Sequence, residues 1–226
     1  MTERTELKYL LSADTAALLA VKAAALMPRD AHAGSDGCYT VRSLYFDTPS
    51  DACLWESVAG GDPRAKYRLR YYGDDPASVR LEKKTKHRQL GHKDSCRLTP
   101  EELSALLRGE PVFPAPEAEP VKRRLLTEMA VRGFVPKVIV TYSREAFVYP
   151  GGNVRVTLDR ALTSSHETGH FLTPGYAERP VYASGQCILE VKFDALLPRH
   201  IRDTLQTEEL VRTAFSKYYH CRMLHL

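Results

Sequence analysis

The chain has 226 residues, 43% of them hydrophobic and 27% charged, with a formal net charge of +4 at pH 7. That length fits one domain, the composition supports an ordinary core and argues against disorder, and so small a net charge does not by itself argue for nucleic acid. No run of about 18 apolar residues occurs, so no membrane span is expected, and five widely spaced cysteines without a C-x-x-C pair read as reduced thiols, with neither a disulfide frame nor a zinc knuckle.

Residues 3–11 alternate Arg4, Glu6 and Lys8 with Leu7 and Tyr9 and read as a first strand, with no signal peptide ahead of it. Ser12 can cap a helix over about 13–27, which carries Leu18, Leu19, Val21 and Leu26 and ends before Pro28. A small polar loop at 30–37 leads into a second strand at 38–47, then a short helix at 50–58 that Gly60 and Gly61 break. Strands near 65–72 and 78–88 are joined by Gly73-Asp74-Asp75-Pro76, and a further short strand is expected near 90–98. Thr99-Pro100-Glu101-Glu102 opens a helix that ends near Gly109; 110–120 reads as a linker, and a second helix covers about 120–132. These two helices, about 99–132, form an insertion in a single domain spanning 1–226. Residues 136–149 and 153–162 then make a hairpin, 163–185 is a loop without period, 186–195 is a closing strand, and helical segments are expected at about 198–206 and 208–222.

The strand at 187–194 shows the pattern that recurs along the chain. Leu189, Val191 and Phe193 fall on one face, and Glu190, Lys192 and Asp194 on the other. For one strand, a solvated charged face is the ordinary reading. Repeated over many strands, with helices available to cover the apolar side, it points to a closed sheet whose charged face turns inward. Counting such positions gives Arg4, Lys8, Arg42, Arg68, Arg70, Arg80, Lys84, Lys86, Arg144, Arg155 and Lys192 as eleven cations, against the four carboxylates Glu6, Glu82, Asp159 and Glu190. Such an excess needs a counterion. A polyphosphate supplies one, because arginine forks hold its oxygens and lysines act as point charges, while the carboxylates offer oxygen donors to a divalent cation. Two other readings compete. His166-Glu167-Thr168-Gly169-His170 fits the H-E-x-x-H of zinc peptidases, but that motif needs a helix, and Gly169, the run Thr163-Ser164-Ser165 and Pro174 argue for a loop. Tyr67 and Tyr72 around Arg68 and Arg70 leave room for a non-catalytic binder of polyphosphate or RNA.

Eight segments carry a family resemblance: 4–9 (Arg-Thr-Glu-Leu-Lys-Tyr), 43–48 (Ser-Leu-Tyr-Phe-Asp-Thr), 66–71 (Lys-Tyr-Arg-Leu-Arg-Tyr), 81–86 (Leu-Glu-Lys-Lys-Thr-Lys), 142–147 (Tyr-Ser-Arg-Glu-Ala-Phe), 154–159 (Val-Arg-Val-Thr-Leu-Asp), 189–193 (Leu-Glu-Val-Lys-Phe) and 216–218 (Ser-Lys-Tyr). In this order they resemble the CYTH-like triphosphate tunnel metalloenzymes, and within them the catalytic domain of the vacuolar transporter chaperone (VTC) polyphosphate polymerases. The resemblance implies an α+β fold: an eight-stranded antiparallel β-barrel, the triphosphate tunnel, with helices packed outside. It implies a metal-dependent phosphotransferase that moves the γ-phosphate of ATP onto a growing polyphosphate chain with Mn2+ or Mg2+; the reduced thiols place it in the cytoplasm. A metal-dependent triphosphatase and a non-catalytic polyphosphate-binding module are the alternatives; nucleic acid is not expected as a partner, and the oligomeric state is open. By resemblance, Lys8, Arg68, Arg70, Lys84, Arg144, Arg155 and Lys192 clamp the reacting phosphates, and Arg4, Arg42, Arg80, Lys86, Ser216 and Lys217 make further substrate contacts. Glu190 is the main metal ligand, with Glu6, Glu82 and Asp159 as further ligands or as supports for the basic side chains. Arg4 departs from the Glu-x-Glu-x-Lys entry of hydrolytic relatives, which removes one potential metal ligand and favours polymer synthesis.

Overall fold

The computed structural model describes residues 4–88, 90–111, 118–173, 175–207 and 210–226. Among the described residues the elements are β1 (Thr5–Leu11), α1 (Ala13–Leu26), β2 (Cys38–Asp47), α2 (Ala52–Val58), β3 (Arg64–Tyr72), β4 (Arg80–His87), β5 (Leu90–Arg97), α3 (Pro100–Leu107), α4 (Pro120–Arg132), β6 (Val135–Tyr149), β7 (Val154–Ser165), β8 (Arg179–Pro180), β9 (Cys187–Phe193), α5 (Arg199–Leu205) and α6 (Lys217–Met223). The fold is α+β. Eight strands form one antiparallel sheet in the order β1-β9-β7-β6-β2-β3-β4-β5, and the two-residue β8 pairs with β7. None of the described helices is long and apolar enough to cross a membrane.

Local chemistry sets the element ends. The Ser12 hydroxyl accepts from the Thr15 N–H and starts α1. Thr99 and Glu102 form a reciprocal capping box at α3, with Pro100 in the first turn. Gly133, at φ 68°, supplies the left-handed residue that ends α4.

Two compact units divide the chain. Unit 1 comprises Met1–Val41, Tyr142–Leu162 and Tyr182–Ser216; unit 2 comprises Arg42–Thr141, Thr163–Val181 and Lys217–Leu226. In unit 1, Val156, Leu158, Leu189 and Val191 pack with Ala16, Leu19 and Ala23 of α1 and Ile201 and Leu205 of α5. In unit 2, Tyr67, Leu69, Tyr71 and Leu81 pack with Leu106 of α3 and Val121, Leu125 and Met129 of α4. Each such valine, leucine, isoleucine or methionine side chain, fully buried, contributes about 1.5–3 kcal/mol. Because side chains alternate along a strand, these cores fix the charged positions on the reverse face.

Two expectations change. The last helix is shorter than 208–222. Before it, the Thr213 N–H donates to the Lys8 carbonyl at 2.9 Å and Arg212 bridges Tyr9, so this segment covers the outer edge of the end strand β1 instead of coiling. The expected loop at 163–185 contains the end of β7 and the whole of β8. Residues 112–117 of the expected linker, Pro174, and Glu208 and Glu209 of the last expected helix lie outside the described residues.

Candidate phosphate-binding faces

In unit 2 the pairing register arranges β3, β4 and β5 as a grid. Lys66, Lys84 and Lys93 lie in one row, Arg68, Glu82 and Ser95 in the next, and Arg70, Arg80 and Arg97 in a third. Arg64 and Lys86 extend it at one end. Directly paired residues share a face. Across these three strands that face therefore carries nine cations (Arg64, Lys66, Arg68, Arg70, Arg80, Lys84, Lys86, Lys93 and Arg97) against the single carboxylate Glu82. Like charges placed opposite one another destabilise a sheet, so the arrangement favours an anion.

Glu82 is 3% exposed. It accepts from Arg68 Nε at 2.8 Å, Arg68 Nη2 at 2.6 Å and Lys93 Nζ at 3.0 Å. Burial pushes its pKa up, but Arg68, Arg70 and Lys93 outweigh burial and hold it at about 2. Strand β2 supports the same arginines: Arg68 Nη1 donates to the Tyr45 hydroxyl at 2.9 Å, and Arg70 Nε to the Ser43 hydroxyl at 2.8 Å. Burial alone would raise the Tyr45 pKa; the cations Arg68, Arg70 and Lys66 reverse this and lower it. The Lys66 ammonium lies 5.4 Å from the centre of the Tyr218 ring, and burial lowers its pKa. Tyr218 in turn donates to the fully buried carboxylate of Asp47, whose oxygens also accept from the backbone N–H groups of Thr48, Cys53 and Leu54. Arg222 makes a two-pronged bond to Asp51 at 2.7 and 2.9 Å, so α6, which begins at Lys217, is pinned at two points.

Arg42 does not join this face. Along β2, Ser43 and Tyr45 meet the charged side, whereas Leu44 and Phe46 enter the core, and Arg42 has the parity of the latter. Its guanidinium stacks over Tyr71 and Tyr176 and donates to the Tyr71 hydroxyl at 2.7 Å. Arg42, expected as a substrate contact, is thus held against these two tyrosines on the side opposite Ser43 and Tyr45.

Unit 1 carries a different charge pattern. Register places Glu6 opposite Lys192, Lys8 opposite Glu190, and Arg155 opposite Lys192. Lys192 Nζ lies 3.0 Å from Glu190 and 3.3 Å from Glu6, and Lys8 Nζ lies 3.9 and 3.7 Å from the same carboxylates. Lys8 also donates to the Phe215 carbonyl at 3.2 Å, next to Ser216. Burial lowers the Lys192 pKa, with Glu6 opposing. Arg144 grips Asp159 through Nε at 2.6 Å and Nη2 at 2.8 Å, and lies 3.8 Å from Glu190. Burial disfavours the charged guanidinium, but Asp159 overrides this and raises its pKa. Arg155 pairs with Asp30 and donates to the Tyr39 hydroxyl at 2.9 Å. Arg4 donates to the Asn153 carbonyl at 2.6 Å and lies 3.9 Å from Asp194. Here Lys8, Arg144, Arg155 and Lys192 face Glu6, Asp30, Asp159 and Glu190, four against four. The cation excess counted along the whole chain therefore belongs to β3–β5.

The family expectation of a divalent metal can be tested against these donors. The ammonium of Lys192 already sits between Glu6 and Glu190, so their oxygens converge where a cation is favoured. Mg2+ characteristically takes one or two carboxylates and completes its shell with water and phosphate, which this pair fits. Glu82 and Asp159 do not fit: the first is saturated by Arg68 and Lys93 and the second is gripped by Arg144, so both act as supports for basic side chains. Among the described residues no group of three or more His, Cys, Asp or Glu is gathered to hold a metal. The H-E-x-x-H stretch forms only a short 3-10 turn at Thr168–His170; His166 packs on His225 and His170 approaches Thr173.

Sequence reasoning passed over Lys66, Lys93, Tyr45, Asp30 and Tyr39. Lys66 has the parity of Arg68, and Tyr45 that of Ser43, so both were available from alternation. Asp30 comes from a loop, and no periodicity points to it.

The VTC domain family model matches residues 3–225. No curated protein matches the chain. Among solved structures, a putative adenylate cyclase from Bacillus halodurans superposes with a TM-score of 0.51 at 19% identity, covering 91% of this chain and 87% of that one, which shows likeness of fold. The PH1819 protein from Pyrococcus horikoshii OT3 superposes with a TM-score of 0.49 at 12% identity over 98% of this chain and 96% of its own.

Proposed function

Since the chain belongs to the VTC domain family, we propose that it is a polyphosphate polymerase that moves the γ-phosphate of ATP onto the end of a growing polyphosphate chain. The observation that carries this reading is the β3–β5 face, with nine cations against Glu82. Its rows suit a linear polyanion better than a single phosphate, because neighbouring strands lie about 4.8 Å apart and same-face residues along a strand about 6.8 Å apart. Arg68 and Arg70 offer forked donors to phosphate oxygens, and Lys66 and Lys84 offer point charges.

In the proposed reaction an oxygen of the terminal phosphate of the chain attacks the γ-phosphorus of ATP. The bond from that phosphorus to the β-phosphate oxygen breaks, and ADP leaves. Positioning and charge neutralisation carry such a step, and no covalent enzyme intermediate is needed. A divalent cation, when bound, supplies charge neutralisation at the phosphate oxygens, and Glu190 and Glu6 would hold it. Arg4 supports transfer over hydrolysis, because an arginine binds phosphate oxygens and cannot take a proton from water at neutral pH.

Incubation with ATP and Mn2+, read by gel for polymer and by assay for free phosphate, tests the reading. A ladder of polyphosphate with matching ADP release is expected. Orthophosphate or pyrophosphate without polymer would replace the polymerase with a triphosphatase, and binding without turnover would leave a polyphosphate-binding module.

A further inference from the structure

On strand β7 of unit 1, Arg155, Thr157 and Asp159 alternate with Val156 and Leu158. The latter two enter the core, so Thr157 stands on the charged face. Register sets it directly opposite Glu190, with Lys8 on the far side of Glu190. Thr157 is 3% exposed and Glu190 5%. Among the described residues the Thr157 hydroxyl has no hydrogen-bond partner. Its neighbours along the strand are engaged elsewhere: Arg155 with Asp30 and Tyr39, and Asp159 with both prongs of Arg144. Glu190 is held more loosely. Its Oε1 lies 3.0 Å from Lys192 Nζ, but its Oε2 lies 3.8 Å from Arg144 Nη2, beyond hydrogen-bond length.

A hydroxyl buried without a partner costs stability, so such a group calls for a ligand. The neighbouring carboxylate sets the sign of that ligand. A phosphate oxygen at Thr157 would lie beside Glu190 and be repelled by it. A cation is attracted by Glu190 and accepts a lone pair of the hydroxyl. Mg2+ and Mn2+ prefer oxygen ligands, and a serine or threonine hydroxyl holds Mg2+ in P-loop sites. Glu6 and Glu190 supply carboxylate oxygens where the Lys192 ammonium already sits. Thr157 adds a further protein oxygen, uncharged and on the strand next to Glu190.

We propose that the Thr157 hydroxyl is a ligand of the divalent cation at Glu190. The inference rests on the metal-dependent reading above. Mn2+ titration of the full chain tests it, read from the EPR signal of free Mn2+ with neither nucleotide nor polyphosphate present. Wild type is compared with Thr157→Val, Thr157→Ser and Glu190→Gln. Valine keeps the shape of threonine and removes the oxygen. Thr157→Val is expected to bind Mn2+ about tenfold more weakly, Thr157→Ser to bind like wild type, and Glu190→Gln to lose most of the binding. Without metal, Thr157→Val is expected to unfold at a higher urea concentration than wild type, because it no longer buries an unpaired hydroxyl; this separates loss of a ligand from loss of fold. In EDTA, tripolyphosphate is expected to bind wild type and Thr157→Val equally. Equal Mn2+ affinity of wild type and Thr157→Val, a lower urea midpoint for Thr157→Val, or weaker tripolyphosphate binding by it in EDTA would overturn the role of Thr157 and leave Glu190 as the metal residue. Mn2+ binding that is absent from wild type, or unaffected by Glu190→Gln, would overturn the metal reading as well.

Discussion

Replacing Glu82 with glutamine removes the carboxylate around which the β3–β5 cations are arranged. Arg68 and Arg70, only 15% and 8% exposed at their side chains, then lose their counter-charge. The folded protein lowers the Glu82 pKa from 4.5 to about 2. At about 1.4 kcal/mol per pH unit, that shift corresponds to about 3 kcal/mol of stability, within the range of about 3–5 kcal/mol for breaking a buried ion pair. The sign follows from the depressed value. The contribution is fully present above pH 4.5 and is lost as pH falls through about 2. Urea denaturation of wild type and Glu82→Gln over a pH series should show the wild type more stable by about 3 kcal/mol at neutral pH, with the gap closing as acid titrates Glu82. Tripolyphosphate should narrow the gap at neutral pH, because an added anion replaces the lost carboxylate. Equal stability of the two proteins at neutral pH, or a gap that ignores pH, would refute the reasoning.

Three further outcomes follow from named contacts. Arg144→Lys breaks the two-pronged bond to Asp159, whose side chain is fully buried; urea denaturation should show a loss of about 2–3 kcal/mol. Tyr218→Phe removes the hydrogen bond to buried Asp47; a loss of about 1.5–3 kcal/mol is expected, with faster amide exchange across 217–223. Glu190→Ala should retain the fold and lose Mn2+-dependent turnover, and full activity over a Mn2+ titration would contradict the role given to Glu190.

Much of the fold was legible because alternation and capping are local signals. The spans of β2 and α4, the helix start at Thr99-Pro100 and the buried side of each charged strand follow from period-2 or period-3.6 patterns and from the residues at their ends. The site was legible in part. Arg42 was counted on the charged face, although Leu44 and Phe46, at the same parity, put it on the core side. The same count missed Lys66, one step of two before Arg68. Asp30, which neutralises Arg155, and Asp47, which fixes Tyr218, act across long separations from a loop and a strand end. Their partners are set by tertiary packing, so no local pattern reveals them. For the same reason Glu82 and Asp159 read as possible metal ligands until their arginine partners were in view.

The central claim is that the β3–β5 face binds a phosphate chain. Calorimetric titration of tripolyphosphate into wild type and into Lys66→Gln/Lys84→Gln, which neutralises two members of the lysine row, tests it most directly. The account predicts binding by the wild type and a loss of about 100-fold in the double variant, about tenfold for each charge removed. Equal affinity of the two proteins, or no binding by the wild type, would contradict it.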